Sequence, residues 1–176
     1  MQDAPEAARR GRFDGLIAEH FTSLYNYLVR RVRNRTLAED LAQEAFLRAW
    51  RAFDRFNPAR PFKPWIFQIA RRVAIDHVRK TREVPDDTIG LTARMEAAQE
   101  ARLVEGERAG ALENELARLP LHQQEAVYLY YLEVHEIGDV ARIMGKSKRA
   151  VVSLLQRARN TLRSKLAWLE TAPPSK

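Results

Sequence analysis

Apolar residues recur at spacings of three and four along almost the whole chain of 176 residues. This spacing places them on one face of an α-helix, whereas the alternation typical of half-buried strands is nearly absent. The pattern therefore predicts an all-α protein. The helical segments fall into two small domains, separated by a weakly patterned, acidic stretch that we expect to be a flexible linker.

The first domain is expected at residues 13–82, with helices at about 13–33, 37–54 and 63–81. The segment 57–64 contains three prolines and is predicted to be a loop, because proline cannot continue a helix. Residues 1–12 are expected to form a disordered tail. The predicted buried faces of the second and third helices contain Ala38, Ala42, Ala45, Phe46, Ala49, Phe53, Ile66, Ala70, Val73, Ala74 and His77.

The second domain is expected at residues 113–169, between a linker at 83–112 and a C-terminal tail at 170–176. Gly145 is typical of a helix stop, and Ser147 is typical of a cap on the next helix. The predicted buried faces on either side of this turn contain Ile137, Val140, Ala141, Met144, Val151, Leu154, Leu155, Ala158, Leu162 and Leu166.

The order of short helix, glycine-containing turn and basic helix is that of a helix-turn-helix motif, whose second helix enters the major groove of DNA. Opposite the apolar stripe of that helix lie polar side chains that suit contacts with phosphates and base edges. They are Arg149, Ser153, Gln156, Arg157 and Asn160, with Lys146 and Lys148 close to the turn. A plain helical hairpin with a basic outer face is the alternative interpretation.

Charge is distributed in blocks along the chain, whose net charge is +7. Residues 48–82 contain ten Lys and Arg against two acids, and residues 146–165 contain seven against none. Residues 83–115 contain three basic and nine acidic residues. A basic excess sorted in this way indicates a polyanionic partner, usually nucleic acid, rather than ordinary solubility charge.

Two further surfaces of the first domain are candidates for binding. Leu47 lies on a polar helical face with Asp40, Gln43 and Glu44. A single exposed leucine is ordinary, but a leucine ringed by acids on a basic protein also suits a partner interface. The basic helix after the proline-rich loop suits single-stranded DNA, with loop aromatics stacking on bases. Alternatively, those aromatics belong to the core.

Several classes of function are not expected. The chain contains no cysteine, which excludes disulfides, thiolate metal sites and cysteine nucleophiles. Its four histidines lie far apart, so no metal site is expected. The sequence shows neither a glycine-rich phosphate loop nor a nucleophile–base arrangement, so we do not expect an enzyme. No apolar run approaches the roughly 20 residues that span a bilayer, and no secretion signal is evident, so we expect a cytoplasmic location.

Three segments, in this order and at this spacing, resemble the bacterial extracytoplasmic function (ECF) sigma factors. "AEDLAQEAFLRAWRAF" resembles sigma region 2.2, and "WIFQIARRVAIDHVRK" resembles regions 2.3 and 2.4. "LARLPLHQQEAVYLYYLEVHEIGDVARIMGKSKRAVVSLLQRARNTL" resembles region 4. The resemblance covers about residues 13–166. It implies a region 2 domain and a region 4 domain, an alternative sigma factor function, and no cofactor.

The resemblance also implies partners and roles for particular residues. Core RNA polymerase would bind through its β′ clamp helices and its β flap, with Asp40, Gln43, Glu44 and Leu47 facing the clamp helices. The helix-turn-helix would bind the promoter −35 element. The residues implied for the melted −10 element are Asn57, Arg60, Lys63, Gln68, Arg71, Arg72, Asp76, Arg79 and Lys80. An anti-sigma factor is a further expected partner, and the acidic linker would enter the RNA channel of the polymerase.

The chain departs from the family pattern at a few positions. Arg72 stands where Asn is frequent, and His135 and Glu136 stand where Leu-Ser is frequent. Ala150, Val152 and Leu154 replace the common Thr, Lys and Arg, which lowers the positive charge of the −35 helix. The competing interpretation is a stand-alone helix-turn-helix regulator. Such a protein has no need of the Leu47 face or the acidic linker.

Overall fold

The computed structural model describes residues 3–82 and 107–171, and the chain divides into two compact units, Met1–Ile89 and Gly90–Lys176. Throughout these described ranges the regular structure is helical and contains no strand. The all-α prediction is therefore confirmed. Each unit has its own buried apolar residues.

The first unit consists of three helices that pack on one another, α1 (Asp3–Val32), α2 (Arg35–Ala52) and α3 (Phe62–Arg82). Asn34 begins α2, because its side chain accepts a hydrogen bond from the Leu37 amide at 2.9 Å. The predicted stripes of α2 and α3 are buried apart from His77, which is half-buried. Helical periodicity thus identified most of these core residues, but it left out the buried Leu41 and Phe67.

The N-terminal end of α1 corrects the predicted disordered tail, because the helix begins at Asp3 rather than near Phe13. The guanidinium of Arg9 lies 3.9 Å from the ring centroid of Trp50 and donates a hydrogen bond to the Trp50 carbonyl oxygen at 3.1 Å. Its Nε also lies 2.8 Å from a carboxylate oxygen of Asp54. These contacts with the end of α2 hold a segment whose own sequence shows no apolar stripe.

The proline-containing loop packs its aromatic residues into the unit. A single 3₁₀ turn, Phe53–Arg55, follows α2. Phe53, Phe56, Phe62 and Trp65 form a chain of ring contacts, with centroids 4.8 Å apart for Phe56 and Trp65. Phe62 is buried and Trp65 is half-buried. This packing favours the core interpretation of the loop aromatics over base stacking.

The second unit contains α4 (Glu107–Arg118), α5 (Leu121–Val127), α6 (Ile137–Met144) and α7 (Lys148–Thr171). A π-helical turn, Tyr128–Leu132, continues α5. Residues 107–112, predicted as linker, belong to α4, and α7 extends into the predicted C-terminal tail. The remaining linker residues, 83–106, lie outside the described residues.

Four polar residues are buried in this unit, and periodicity did not identify them: Glu125, Glu133, His135 and Asp139. The Tyr128 hydroxyl donates a hydrogen bond to Glu133 Oε1 at 2.9 Å. Asp139 forms an ion pair with Arg142 one turn later in α6. Buried polar groups need such partners, so these residues constrain the segment between α5 and α6.

Candidate nucleic-acid interface and docking face

The turn between α6 and α7 is built as the sequence predicted. Gly145 ends α6 with a φ of 64°, the left-handed conformation that glycine adopts without a steric penalty. The Lys146 amide then donates to the Ala141 carbonyl at 2.9 Å. Ser147 caps α7, because its hydroxyl accepts a hydrogen bond from the Ala150 amide at 3.2 Å. This turn sets the direction in which α7 leaves α6.

The two faces of α7 differ sharply in exposure. Val151, Leu155 and Ala158 are buried against the unit, and Leu154 and Leu162 are half-buried. The predicted DNA-facing residues Arg149, Ser153, Gln156 and Arg157 are all exposed, as is Asn160. The structure therefore brings the predicted −35 residues together on one accessible helical face. Val152, which is 44% exposed, interrupts that face with an apolar side chain.

The two lysines of the turn lie beside this face. Lys146 is half-buried and Lys148 is exposed. A Cβ atom at Gly138 would lie 3.4 Å from Cε of Lys148. The Lys148 side chain therefore extends back along the first turn of α6, rather than along the outer face of α7. This position suits a backbone phosphate better than a base edge.

The α2 face around Leu47 is exposed as a docking surface requires. Asp40 and Gln43 are exposed, and Leu47 is 45% exposed. Beside them runs a groove of about 780 Å³ between α1 and α2. Its walls include Leu47, Gln43 and the apolar residues Ile17, Phe21, Phe46 and Trp50. Glu44 is half-buried and binds Arg48, so it is the least available of the four predicted docking residues.

The predicted DNA-binding residues of α3 differ in their exposure to solvent. Arg72, Arg79 and Lys80 are exposed, whereas Gln68 and Arg71 are half-buried. Asp76 is also half-buried, and its Oδ2 accepts a hydrogen bond from Arg48 at 3.0 Å. The structure thus presents a small group of accessible cations, while the one acid of the helix is held by α2.

The residues of the predicted −10 set that lie in the loop or at the start of α3 are mostly engaged in local structure. The Asn57 side-chain oxygen accepts a hydrogen bond from the Ala59 amide at 2.9 Å, which fixes the turn. Lys63 is half-buried, with Nζ 5.8 Å from the centroid of the Phe67 ring. Arg60 is exposed. Of these three residues, Arg60 is the best placed to reach a phosphate.

Arg48 and His20 were missed by the sequence analysis. Arg48 links Glu44 of α2 with Asp76 of α3, and hydrogen bonds to Glu44 and then Asp76 raise its pKa. The spacing of Glu44 and Arg48 signals a helical ion pair, but nothing in the sequence indicates Asp76. The His20 ring stacks on Phe62 with centroids 5.5 Å apart, and burial lowers its pKa.

The described residues also bear on two other kinds of feature, metal sites and membrane-spanning helices. Within residues 3–82 and 107–171, no group of three or more His, Asp or Glu side chains is placed to hold a metal ion. Nor does any helix in the described part of the chain have the length and apolar character needed to cross a bilayer. The fold and its exposed basic faces define a two-unit, helix-turn-helix DNA-binding protein.

Comparison with known proteins gives the family. The chain matches Sigma-70 region 2 over residues 16–84 and Sigma-70 region 4 over residues 109–162. It is 32% identical to the ECF RNA polymerase sigma factor SigM of Bacillus subtilis, over 86% of this chain and 93% of SigM. The chain belongs to the ECF RNA polymerase sigma factors, the bacterial proteins that bind core RNA polymerase and direct promoter recognition.

Two further similarities agree with this family. The chain is 34% identical to the ECF sigma factor BldN of Streptomyces coelicolor, over 92% of this chain. The matched part spans 64% of the length of BldN. The solved structure of CnrH in complex with the cytosolic domain of CnrY has a TM-score of 0.63 and 27% identity. That similarity covers 93% of this chain and 91% of CnrH.

Proposed function

We propose that the first unit docks on core RNA polymerase and opens the −10 element, while the second unit binds the −35 element as duplex DNA. The observation that carries this assignment is the exposed polar face of α7 behind the Gly145–Ser147 turn. The domain assignment follows: α1 to α3 for region 2, residues 83–106 for the linker, and α4 to α7 for region 4. A stand-alone regulator remains the alternative, and no observation favours it.

In the −35 complex, Arg149 and Gln156 contact base edges, because both are exposed on the face of α7 opposite the buried Val151 and Leu155. Ser153 and Arg157 lie on the same face, although Arg157 Nε also donates to the Ser153 carbonyl at 3.3 Å. Lys146 and Lys148 contact phosphates. Phosphate contacts give affinity on any sequence, whereas base contacts discriminate between sequences.

The −10 element is held by the exposed cations of α3, Arg72, Arg79 and Lys80, together with Arg60 of the loop. Gln68 and Arg71 flank this group from half-buried positions. Asp76, the acid of the predicted −10 set, is bound by Arg48 of α2 and does not itself contact the strand. Asn57 acts mainly by shaping the loop, and Lys63 packs on Phe67 at the start of α3. Melting of the duplex is favoured because a basic surface binds the displaced strand as it separates.

The docking face of α2 contacts the β′ clamp helices through Leu47, Gln43 and Asp40, with Glu44 at its edge, and region 4 contacts the β flap. Leu47 lies between polar neighbours, the arrangement of an apolar anchor within a polar rim. An anti-sigma factor is a further proposed partner, because the related CnrH is solved in complex with CnrY.

In this role the chain works in the cytoplasm, where core polymerase and promoter DNA are found. It needs no catalytic site or cofactor of its own, because the polymerase performs the chemistry of RNA synthesis. The sigma factor contributes binding and positioning only.

The −35 assignment is tested by promoter selection with reconstituted holoenzyme on a randomised −35 element. Lys148→Ala should weaken binding evenly on all sequences and lower its salt dependence. Arg149→Ala and Gln156→Ala should instead relax the preference at particular bases, each by about 1–3 kcal/mol. If both variants keep the parental base preferences, α7 is a structural helix and the −35 assignment is wrong.

The docking assignment is tested by core binding of Leu47→Arg. A charged side chain at the centre of an apolar contact cannot be desolvated cheaply, so affinity should fall by at least about tenfold. Val152→Arg is the matched control, because Val152 is equally exposed but lies on α7. Equal core affinity for the Leu47 variant and the natural chain would move the interface elsewhere on the first unit.

A further inference from the structure

Arg48 lies where the docking face of α2 meets the DNA-facing helix α3. Its Nε lies 2.7 Å from Glu44 Oε1 on its own helix, and its Nη1 lies 3.0 Å from Asp76 Oδ2 on α3. All three side chains are partly exposed: Arg48 by 37%, Glu44 by 39% and Asp76 by 42%. One cation therefore holds a carboxylate from each of the two surfaces.

Asp76 is the only acid in α3, and it is surrounded in sequence by the cations of that helix. Arg72 precedes it by one turn, and Arg79 and Lys80 follow it by one turn, which are the spacings at which helical side chains form ion pairs. Yet in the part of the chain that the structure describes, these three exposed cations form no ion pair. The carboxylate of Asp76 is instead drawn to α2 by Arg48.

We propose that Arg48 is a positioning residue for promoter opening, which holds Asp76 against α2 and so leaves Arg72, Arg79 and Lys80 available to the DNA strand. The inference rests on the proposed −10 role of α3. Without Arg48, the Asp76 carboxylate pairs with a cation one turn away and repels the phosphates nearby. One positive charge of the DNA-binding face is then lost.

Glu44 has a separate part in this arrangement. Its bond to Nε leaves Nη1 of the same guanidinium directed at Asp76, so Glu44 fixes the orientation of Arg48. Because arginine is protonated throughout the physiological pH range, the charge of Arg48 persists wherever the polymerase is active. Lysine at this position offers a point charge without the planar fork, and it cannot hold both carboxylates in the same geometry.

The test uses holoenzyme reconstituted from core polymerase and each sigma variant, with permanganate reactivity of the −10 strand measured against salt concentration. Arg48→Ala should open the promoter less. The slope of log opening against log salt should become shallower by about 0.7–0.9, the value expected when one phosphate contact is lost. Core affinity and the circular dichroism spectrum are measured for the same preparations.

The rescue experiment separates this role from a merely structural one. Adding Asp76→Asn to Arg48→Ala removes the freed carboxylate and should restore both the opening and the salt slope. Adding Glu44→Gln instead is the matched control and should restore neither. If the Asp76→Asn double variant opens no better than Arg48→Ala, the inference is wrong. It is equally wrong if Asp76→Asn alone impairs opening as strongly as Arg48→Ala.

Two additional sets of variants cover misfolding of Arg48→Ala and separate the role of Arg48 from the −10 role of α3. Arg48→Gln is used in the same rescue if Arg48→Ala does not fold, because it retains a hydrogen-bond donor without the charge. The double variant Arg72→Ala and Arg79→Ala tests the proposed −10 role itself. Full opening by that variant with normal core binding removes the −10 assignment of α3. Failed rescue with impaired opening by that variant removes only the role of Arg48.

Discussion

His20 shows how burial couples one side chain to the stability of the first unit. Its ring retains 11% of its exposure, stacked on Phe62, and desolvation lowers its pKa. Glu19 raises that pKa and Lys63 lowers it further, but burial has the largest effect. The folded state therefore binds fewer protons than the unfolded state at mildly acidic pH.

The free energy of unfolding should consequently fall as the pH drops. The contribution of neutral His20 is complete above its unfolded pKa of about 6.5 and is lost as the pH falls from there towards the lowered folded value. One proton limits the slope to about 1.4 kcal/mol per pH unit. Urea unfolding measures this change in free energy at a series of pH values from about 7.5 to about 5, a range that includes the unfolded pKa of about 6.5.

The control for this prediction is His20→Phe, which keeps the ring contact with Phe62 but cannot titrate. The difference in unfolding free energy between the natural chain and this variant should change over the same pH range. A difference that is constant with pH would assign the acid sensitivity to other groups.

Residue positions on helical faces could be predicted from the sequence, whereas partners across helices could not. The exposed Arg149 and buried Val151 follow from a period of 3.6 residues, which needs no tertiary information. The pair Arg48–Asp76 joins residues 28 positions apart, and it depends on how α2 packs on α3. The local burial of Glu133 and His135 also depends on the π-helical turn, which periodicity does not reveal.

At the scale of elements, the N-terminal end of α1 is the largest difference between expectation and structure. The segment before Phe13 is rich in Ala and Arg, which are good helix formers, but it has no apolar stripe. Its attachment comes from Arg9 stacking on Trp50 and pairing with Asp54, contacts that lie more than forty residues away. A periodicity argument counts arginine as polar and so misses a cation that packs on a ring.

Removal of this contact should destabilise the first unit measurably. Arg9→Ala is expected to lower the free energy of unfolding by about 1–2 kcal/mol, because it deletes a partly buried cation–π contact and a hydrogen bond. Arg10→Ala is the matched control: Arg10 is exposed on the same helix and should change stability by less than about 0.5 kcal/mol. Thermal and urea unfolding, followed by circular dichroism, compare the two.

The stabilities of these two variants also test the energetic side of the prediction that residues 1–12 form a disordered tail. If Arg9→Ala and Arg10→Ala leave unfolding equally unchanged, the first turns of α1 contribute nothing to stability. A helical conformation without a contribution to stability would then be the difference between this segment and the predicted disordered tail.

At the scale of the whole molecule, the proposed function divides the promoter contact between the two units. The charge blocks were visible in the sequence, and they coincide with the exposed cations of α3 and α7. Among the described residues, the face proposed for DNA is small in each unit. If both faces bind as proposed, affinity for a complete promoter comes from both faces acting on one DNA molecule, with core polymerase holding the complex together.

This division predicts that the covalent link is essential. Linked binding sites act as if the second were present at millimolar concentration, so linkage raises avidity by about 10²–10⁴ without any new contact. We expect separate fragments 1–89 and 90–176, divided at the boundary between the compact units, to initiate transcription with core polymerase at least about 100-fold less well than the intact chain at equal concentration. Fragment 1–89 should still bind core polymerase, because it contains the whole docking face of α2.

Run-off transcription on one promoter, with and without its −35 element, measures the effect. The intact chain should depend strongly on the −35 element, whereas fragment 1–89 alone should be indifferent to it, since it lacks α7. Circular dichroism establishes that both fragments are helical. Equal activity of the paired fragments and the intact chain would mean that the two units are recruited independently by the polymerase. Tight −35 binding by fragment 90–176 alone would instead favour the stand-alone regulator, because α7 would then need neither the polymerase nor the first unit.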